Sequence, residues 1–235
     1  MVKKIVGTGV LLVLALALQA GVKMYTLKSP DGKVKLEVTA GQGIAYSLFY
    51  DGRLLLKPSR IALHTDLPEA DHWENIRITG TKQRHVSETV QAPFYRVKEF
   101  GIDCNELELR LNNGFSLLMR AYNDGMAYRF VAGRKGEMTV VEERAEFNFA
   151  DDFEAYIPYS TNPKDPWNMA FQNFYTKAPL TQYNTELPAF LPLTVDAGAV
   201  KLTLLESDLE AYPGMFVCGD GKTPALKGVF AAYPQ

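Results

Sequence analysis

The residues able to do chemistry are few, and their spacing excludes most reaction classes. No G-x-S-x-G elbow and no phosphate-cradling glycine loop occurs, and neither cysteine lies beside a histidine, so a nucleophile backed by a base is not encoded locally. The three histidines, His64, His72 and His85, lack the H-x-H or H-x-x-x-H spacing of a catalytic zinc site. A glycosidase needs two carboxyl groups, and acidic residues cluster at Glu142-Glu143, at Asp151, Asp152 and Glu154, and at Glu206, Asp208 and Glu210. Catalytic carboxyls, however, converge across a pocket at roughly 5 to 9.5 Å and come from distant segments, so local runs of this kind read as solvated faces. Calcium takes about six to eight oxygens from carboxylates, amides and carbonyls. Asp165, Asn168, Gln172, Asn173, Asn184 and Glu186 could offer some, although such amides more commonly cap loop backbone.

Short alternating segments must position these groups. Val34, Leu36 and Val38 alternate with Lys35 and Glu37, and Leu107, Leu109 and Leu111 alternate with Glu106, Glu108 and Arg110, the pattern of strands with one wet and one dry face. Further strands are expected over Tyr46–Tyr50, Phe115–Ala121, Ala127–Val131, Ala145–Phe149, Phe190–Val195 and Val200–Leu205. Turn residues punctuate them at Pro30-Asp31-Gly32, Asp51-Gly52, Asn113-Gly114, Asp124-Gly125 and Asp220-Gly221. No amphipathic helix of three turns is legible, so the fold class expected is an all-β sandwich in one domain. Residues 69–75 and 159–173 are polar, aromatic and irregular, and prolines forbid regular pairing in the second. Long irregular connections are often functional, which makes the second stretch, with Trp167, Phe171 and Tyr175 among amides, the expected recognition loop.

The chain has 235 residues, with 25 Lys+Arg against 27 Asp+Glu and a formal net charge of -2. No basic stripe is present, which excludes a nucleic acid held by phosphate neutralisation. Residues 1–20 carry Lys3 and Lys4, an apolar run from Val10 to Leu18 and a small residue at Ala20, the layout of a cleavable secretory signal peptide. Export to the periplasm or cell envelope is expected, with no membrane association after cleavage. There Cys104 and Cys218 could pair or remain two buried thiols.

Six segments, in order, resemble the N-terminal domain of glycoside hydrolase family 97: SPDGKVKLEV, NELELRLNNGFSLLMRAYNDGMAYRF (Asn105–Phe130), AEFNF with AYIPY (Ala145–Tyr159), LPAFLPLTV (Leu187–Val195), ESDLEAYPGMF (Glu206–Phe216) and LKGVFAAYP (Leu226–Pro234). The resemblance implies a β-super-sandwich over residues 21–235, similar to the galactose-mutarotase-like fold. In that family such a domain packs on a catalytic (β/α)8 barrel of exported α-glucosidases and α-galactosidases. The family's catalytic carboxylates lie on the barrel, so the chain is expected to be the accessory domain alone, facing an α-linked oligosaccharide or galactoside. The domain also supplies one ligand to a calcium ion. By motif position that ligand falls on Gln172, where a carboxylate is the family pattern, with Glu186 as second choice.

Three functions follow as expectations. The first is a non-catalytic, sugar-facing accessory domain. The second is a free-standing carbohydrate-binding module, using Trp167 or Trp73 as a platform for sugar C–H faces. The third is an aldose mutarotase-like enzyme, with His85 and Glu186 as acid and base.

Overall fold

The computed structural model describes residues 23–168, 171–207, 209 and 212–232. The signal-peptide segment, residues 1–20, lies outside them, as do Asp208 and Glu210. Among the described residues the only helical element is a 3-10 turn at Leu180–Gln182, and the rest of the regular structure is strand. None of these residues forms a helix long and apolar enough to cross a membrane. The chain folds as two compact units.

The first unit holds the residues through Gly52 together with Asp66–Thr139. Strands β1 (Lys23–Lys28), β2 (Val34–Gly41) and β3 (Gly43–Tyr50) form an antiparallel meander. β1 and β2 are joined by a turn in which Gly32 takes φ +78°, Asp31 Oδ1 accepts the Lys33 N–H, and Ser29 Oγ accepts the Val34 N–H. Strands β5 (Ile78–Gln91), β6 (Glu99–Leu111), β7 (Phe115–Tyr122) and β8 (Gly125–Ala132) form a second meander. The alternating residues meet between the two sheets: Leu36, Val38, Ile44 and Tyr46 on one side, Leu107, Leu109, Leu117 and Met119 on the other, all essentially solvent-free.

Residues 69–75 are irregular, and their tryptophan is core. Trp73 is 4% exposed, with its ring edge-on to Phe130 at 5.2 Å and tilted on Phe115 at 6.1 Å. Ala70 and Ile76 are buried beside it, and the Ile76 N–H is donated to the Gly41 carbonyl. The platform role considered for Trp73 is therefore corrected. Ala70 and Trp73 are the buried residues of the segment, and at 4% exposure the indole offers no face to a sugar.

The second unit holds β4 (Arg53–Thr65) and the chain from Val140 onward. In one sheet β4 pairs with β9 (Val140–Asn148), β9 with β15 (Ala225–Phe230), and β15 with β14 (Met215–Gly219). In the other, β10 (Glu154–Ile157) lies between β11 (Thr176–Pro179) and β12 (Leu193–Asp196), and β12 pairs with β13 (Lys201–Leu204). Leu55, Ile61, Ala145, Phe147, Phe149, Ala155, Ile157, Leu193 and Val195 fill this core. The strand expected from Phe190 starts three residues later, at Leu193. Pro192 has no N–H to give a ladder, and the Phe190 N–H bonds the Pro158 carbonyl instead. The chain is thus an all-β super-sandwich, each unit supplying two layers of sheet.

Candidate functional site

The irregular connection from Tyr159 to Tyr175 is built on the edge of the second unit by three short backbone contacts. Ala189 and Val217 exchange N–H···O bonds at 2.9 and 2.8 Å, and the Ser160 N–H reaches the Pro188 carbonyl at 2.8 Å. Tyr159 OH accepts the Asn184 N–H at 2.8 Å, and its ring stands edge-on to Tyr183 at 5.0 Å. Tyr183, 3% exposed, places its hydroxyl 2.7 Å from the Val217 carbonyl and 3.0 Å from that of Leu187. Two buried tyrosines therefore fasten the base of the loop to β14, leaving its outer part to aromatic packing.

That outer part gathers around Phe216. The Trp167 ring is edge-on to Phe216 at 5.0 Å and 86°, and Phe171 lies 6.1 Å from Phe216 and edge-on to Phe190 at 5.5 Å. Phe171 holds φ +54°, a backbone region that non-glycine residues seldom occupy. Strain of this kind persists only where surroundings over-determine it, here through the two ring contacts. Asn173 Nδ2 donates to the Tyr159 carbonyl, its Oδ1 accepts the Phe174 N–H, and Tyr175 OH is 3.3 Å from the Pro192 carbonyl. Among the described residues of this connection, aromatic faces turn outward: Phe174 is 94% exposed, Phe171 and Tyr175 about half, and Trp167 is half-buried with one edge in packing. Phe174, the most exposed of them, was not singled out by sequence. Its neighbours Phe171 and Tyr175 were the available signal.

The oxygen donors are distributed differently. Gln172 is exposed on the loop, and Glu186 is exposed on the turn after the 3-10 segment, its N–H bonded to Asn184 Oδ1. Asn173 and Asn184 cap loop backbone, as the plainer reading held. Among the described residues no group of three or more His, Cys, Asp or Glu is placed to share a metal ion. Gln172 and Glu186 each fit a single donor rather than a coordination sphere.

Several described residues of the acidic clusters hold structural contacts. Asp152 accepts the N–H and hydroxyl of Thr181, and Glu154 pairs with Lys177 at 2.7 Å. Both Glu206 oxygens take the Met215 N–H, at 2.9 and 2.8 Å, and Tyr212 OH donates to Glu143 at 2.7 Å. Burial pushes both Glu143 and Glu206 above the usual carboxylate range.

In the first unit, His85 Nδ1 is 3.0 Å from Asn105 Oδ1 and Nε2 is 3.2 Å from Asp103. Glu186, the base expected beside it in a mutarotase, belongs to the other unit. Gln83 and Asn105 donate side-chain N–H groups to the Thr26 and Lys28 carbonyls, capping the open edge of β1 as a further strand would. The cysteines are free: Cys104 is buried and Cys218 half-buried, and burial pushes both thiols up, away from the reactive thiolate.

Residues 27–234 match the family model described as Glycosyl-hydrolase 97 N-terminal. The chain belongs to glycoside hydrolase family 97. A retaining α-galactosidase of Bacteroides thetaiotaomicron is 39% identical over 227 residues, which is 94% of this chain and 34% of that protein. A probable retaining α-galactosidase of Streptomyces bingchenggensis is 26% identical over 158 residues, 66% of this chain and 24% of that one. The chain thus spans about a third of one curated relative it matches and about a quarter of the other. Among solved structures, a family 97 enzyme from Pseudoalteromonas sp. strain K8, in complexes with panose and with acarbose, superposes with TM-score 0.72 at 18% identity over 88% of this chain and 32% of its own. A β-arabinopyranosidase superposes with TM-score 0.75 at 20% identity, over 88% of this chain and 35% of its own. At those identities the likeness carries the fold: the family 97 N-terminal domain is the super-sandwich seen here.

Proposed function

We propose that this family 97 N-terminal domain is the non-catalytic, sugar-facing accessory part of an exported glycoside hydrolase, and that α-galactosides are its substrate class. The observation that carries the reading is the exposure of Phe171, Phe174, Tyr175 and part of Trp167 on one irregular connection. Aromatic faces suit the C–H surfaces of sugars, and the family supplies the context of a glycosidase. The α-galactosidase relatives favour the galactoside over the glucoside. The commitment of every described acidic cluster to hydrogen bonds or ion pairs supports the non-catalytic part. The catalytic groups would then belong to a (β/α)8 barrel on which the domain packs. A free-standing carbohydrate-binding module would use the same loop.

Two further elements belong to this proposal. Gln172, or failing it Glu186, would donate one oxygen to a calcium ion whose other ligands come from outside the chain; the ion would hold the loop to the barrel's cleft. Residues 1–20 would direct export to the periplasm or cell envelope.

The two tryptophans make the sugar-facing part directly measurable, because Trp73 is buried and Trp167 is half-exposed. Millimolar α-galactoside should shift the fluorescence of the wild-type protein and leave that of a Trp167→Phe variant unchanged. No fluorescence change and no heat of binding at millimolar galactoside or maltooligosaccharide, from a folded protein, would leave a pure scaffold and overturn carbohydrate binding.

A further inference from the structure

Two carboxyl groups hold the entry to β14. Glu206, which follows β13, accepts the N–H of Met215, the first residue of β14, on both oxygens, at 2.9 and 2.8 Å. Tyr212, just before the strand, donates its hydroxyl to Glu143 Oε2 on β9 at 2.7 Å, and its ring stands edge-on to Phe230 of β15 at 5.7 Å. Gly214 lies between these contacts. A Cβ there would sit 3.4 Å from Glu206 Oε1, so the carboxyl packs directly on the backbone it holds.

Both carboxyls are half-buried, and their partners among the described residues are a phenol and a backbone N–H rather than a cation. His64 on β4, Glu142, Arg144 and Glu146 on β9, and Lys227 on β15 line one cavity of about 370 Å³ with Glu143. Arg144 is already paired with Glu146, and Lys227 lies opposite Glu146 on the ladder. A carboxyl withdrawn from water with no cation beside it favours its neutral form. Burial pushes Glu143 above the usual carboxylate range, the Tyr212 bond opposes that, and the negative charge of Glu206 adds to it. Burial also pushes Glu206 up, against the pull of the Met215 N–H. Protonation breaks neither bond, because a neutral carboxyl keeps a carbonyl oxygen that accepts. What it removes is the charge that the two groups set against each other. Tyr212 remains the donor throughout, since burial pushes its hydroxyl upward.

We propose that Glu143 and Glu206 form a proton-responsive clasp, which grips the entry of β14 more tightly in mildly acidic solution than at neutral pH. A raised folded value gives stability that is full below the ordinary glutamate range and is lost as pH rises through the raised value. The inference uses only contacts within the second unit, so its failure would leave the sugar-facing reading untouched.

Thermal unfolding of the wild type and of Glu143→Gln at about pH 4 and about pH 8 tests the clasp, because glutamine has the shape of the neutral acid. At the higher pH the variant's midpoint should exceed the wild type's by about 2–4 °C, the shift one such interaction produces in a chain of this length, and at the lower pH the advantage should vanish. Hydrogen exchange at the Met215 N–H, corrected for its intrinsic pH dependence, should be slowed at least about threefold by the substitution at the higher pH and left unchanged at the lower. A carbon-13 titration of the wild-type Glu143 and Glu206 carboxyls needs no variant, and both midpoints should lie above the ordinary glutamate range. A variant less stable than the wild type by the same margin at both pH values would overturn the proposal. So would carboxyl midpoints at or below the ordinary glutamate range.

Discussion

Replacing Trp73 by alanine should cost the first unit about 3–5 kcal/mol, the range of large aromatic truncations in a packed core. The indole is 4% exposed and wedged against Phe115 and Phe130, and the backbone that carries it is held to Gly41 through Ile76. Its removal would leave a cavity that β-sheets, fixed by their ladders, cannot collapse to fill. At about 2–4 °C per kcal/mol for a protein of this size, the midpoint of the affected transition should fall by roughly 10 °C. Trp167→Ala should cost only about 1 kcal/mol, because one edge of that ring is already wet. Denaturant unfolding of the two variants separates core from platform. Equal costs would contradict the placement of Trp73 in the core and of Trp167 half-buried on the irregular connection.

The second large effect lies at Glu106. This residue is 4% exposed on β6, and each of its oxygens meets a guanidinium: Arg84 Nε at 2.5 Å and Arg120 Nε at 2.8 Å. Burial alone would raise the carboxyl, but the two arginine bonds outweigh it and hold Glu106 below its ordinary value. A depressed folded value means that the ion triad stabilises the fold above the ordinary glutamate range, and that this stability is lost as pH falls through the lowered value. Glu106→Gln should cost about 2–3 kcal/mol at neutral pH, less than a fully buried pair because Arg84 is half-exposed and can rehydrate. The deficit should shrink on acidification, as the wild-type carboxyl also becomes neutral. A deficit that stays constant from neutral pH down to acid would show that Glu106 acts by shape rather than charge.

Strand identity was legible wherever one face was dry. β2, β6 and β7 announce themselves because Val34, Leu36 and Val38, or Leu107, Leu109 and Leu111, alternate with polar residues and are buried as the alternation requires. β5 was not legible. Across Ile78–Gln91 only Val86 is buried, so the strand carries almost no hydrophobic period and is recruited by its ladder with β6. β4 was hidden by Pro58 and by the turn residues that precede it, though Leu55, Leu56, Ile61 and Leu63 are core. The irregular connection after Tyr159 could be found from its prolines, because regular pairing is impossible there. Its anchoring could not: Tyr183 and Tyr159 hold it through contacts with Val217 and Asn184, partners that only the fold brings near. The irregular stretch at residues 69–75 had a similar mix of polar and aromatic residues, yet its Trp73 proved to be core while Glu69, Asp71, His72, Glu74 and Asn75 are exposed, because burial depends on what the other sheet leaves open.

The reading of this domain as an accessory without its own active site is tested most directly by turnover. The purified chain, incubated with p-nitrophenyl α-galactoside and α-glucoside in millimolar calcium, should release no p-nitrophenol above the buffer rate. Robust calcium-dependent release, abolished by substituting Glu143 or Glu206, would contradict the account and place a working carboxyl pair within the second unit.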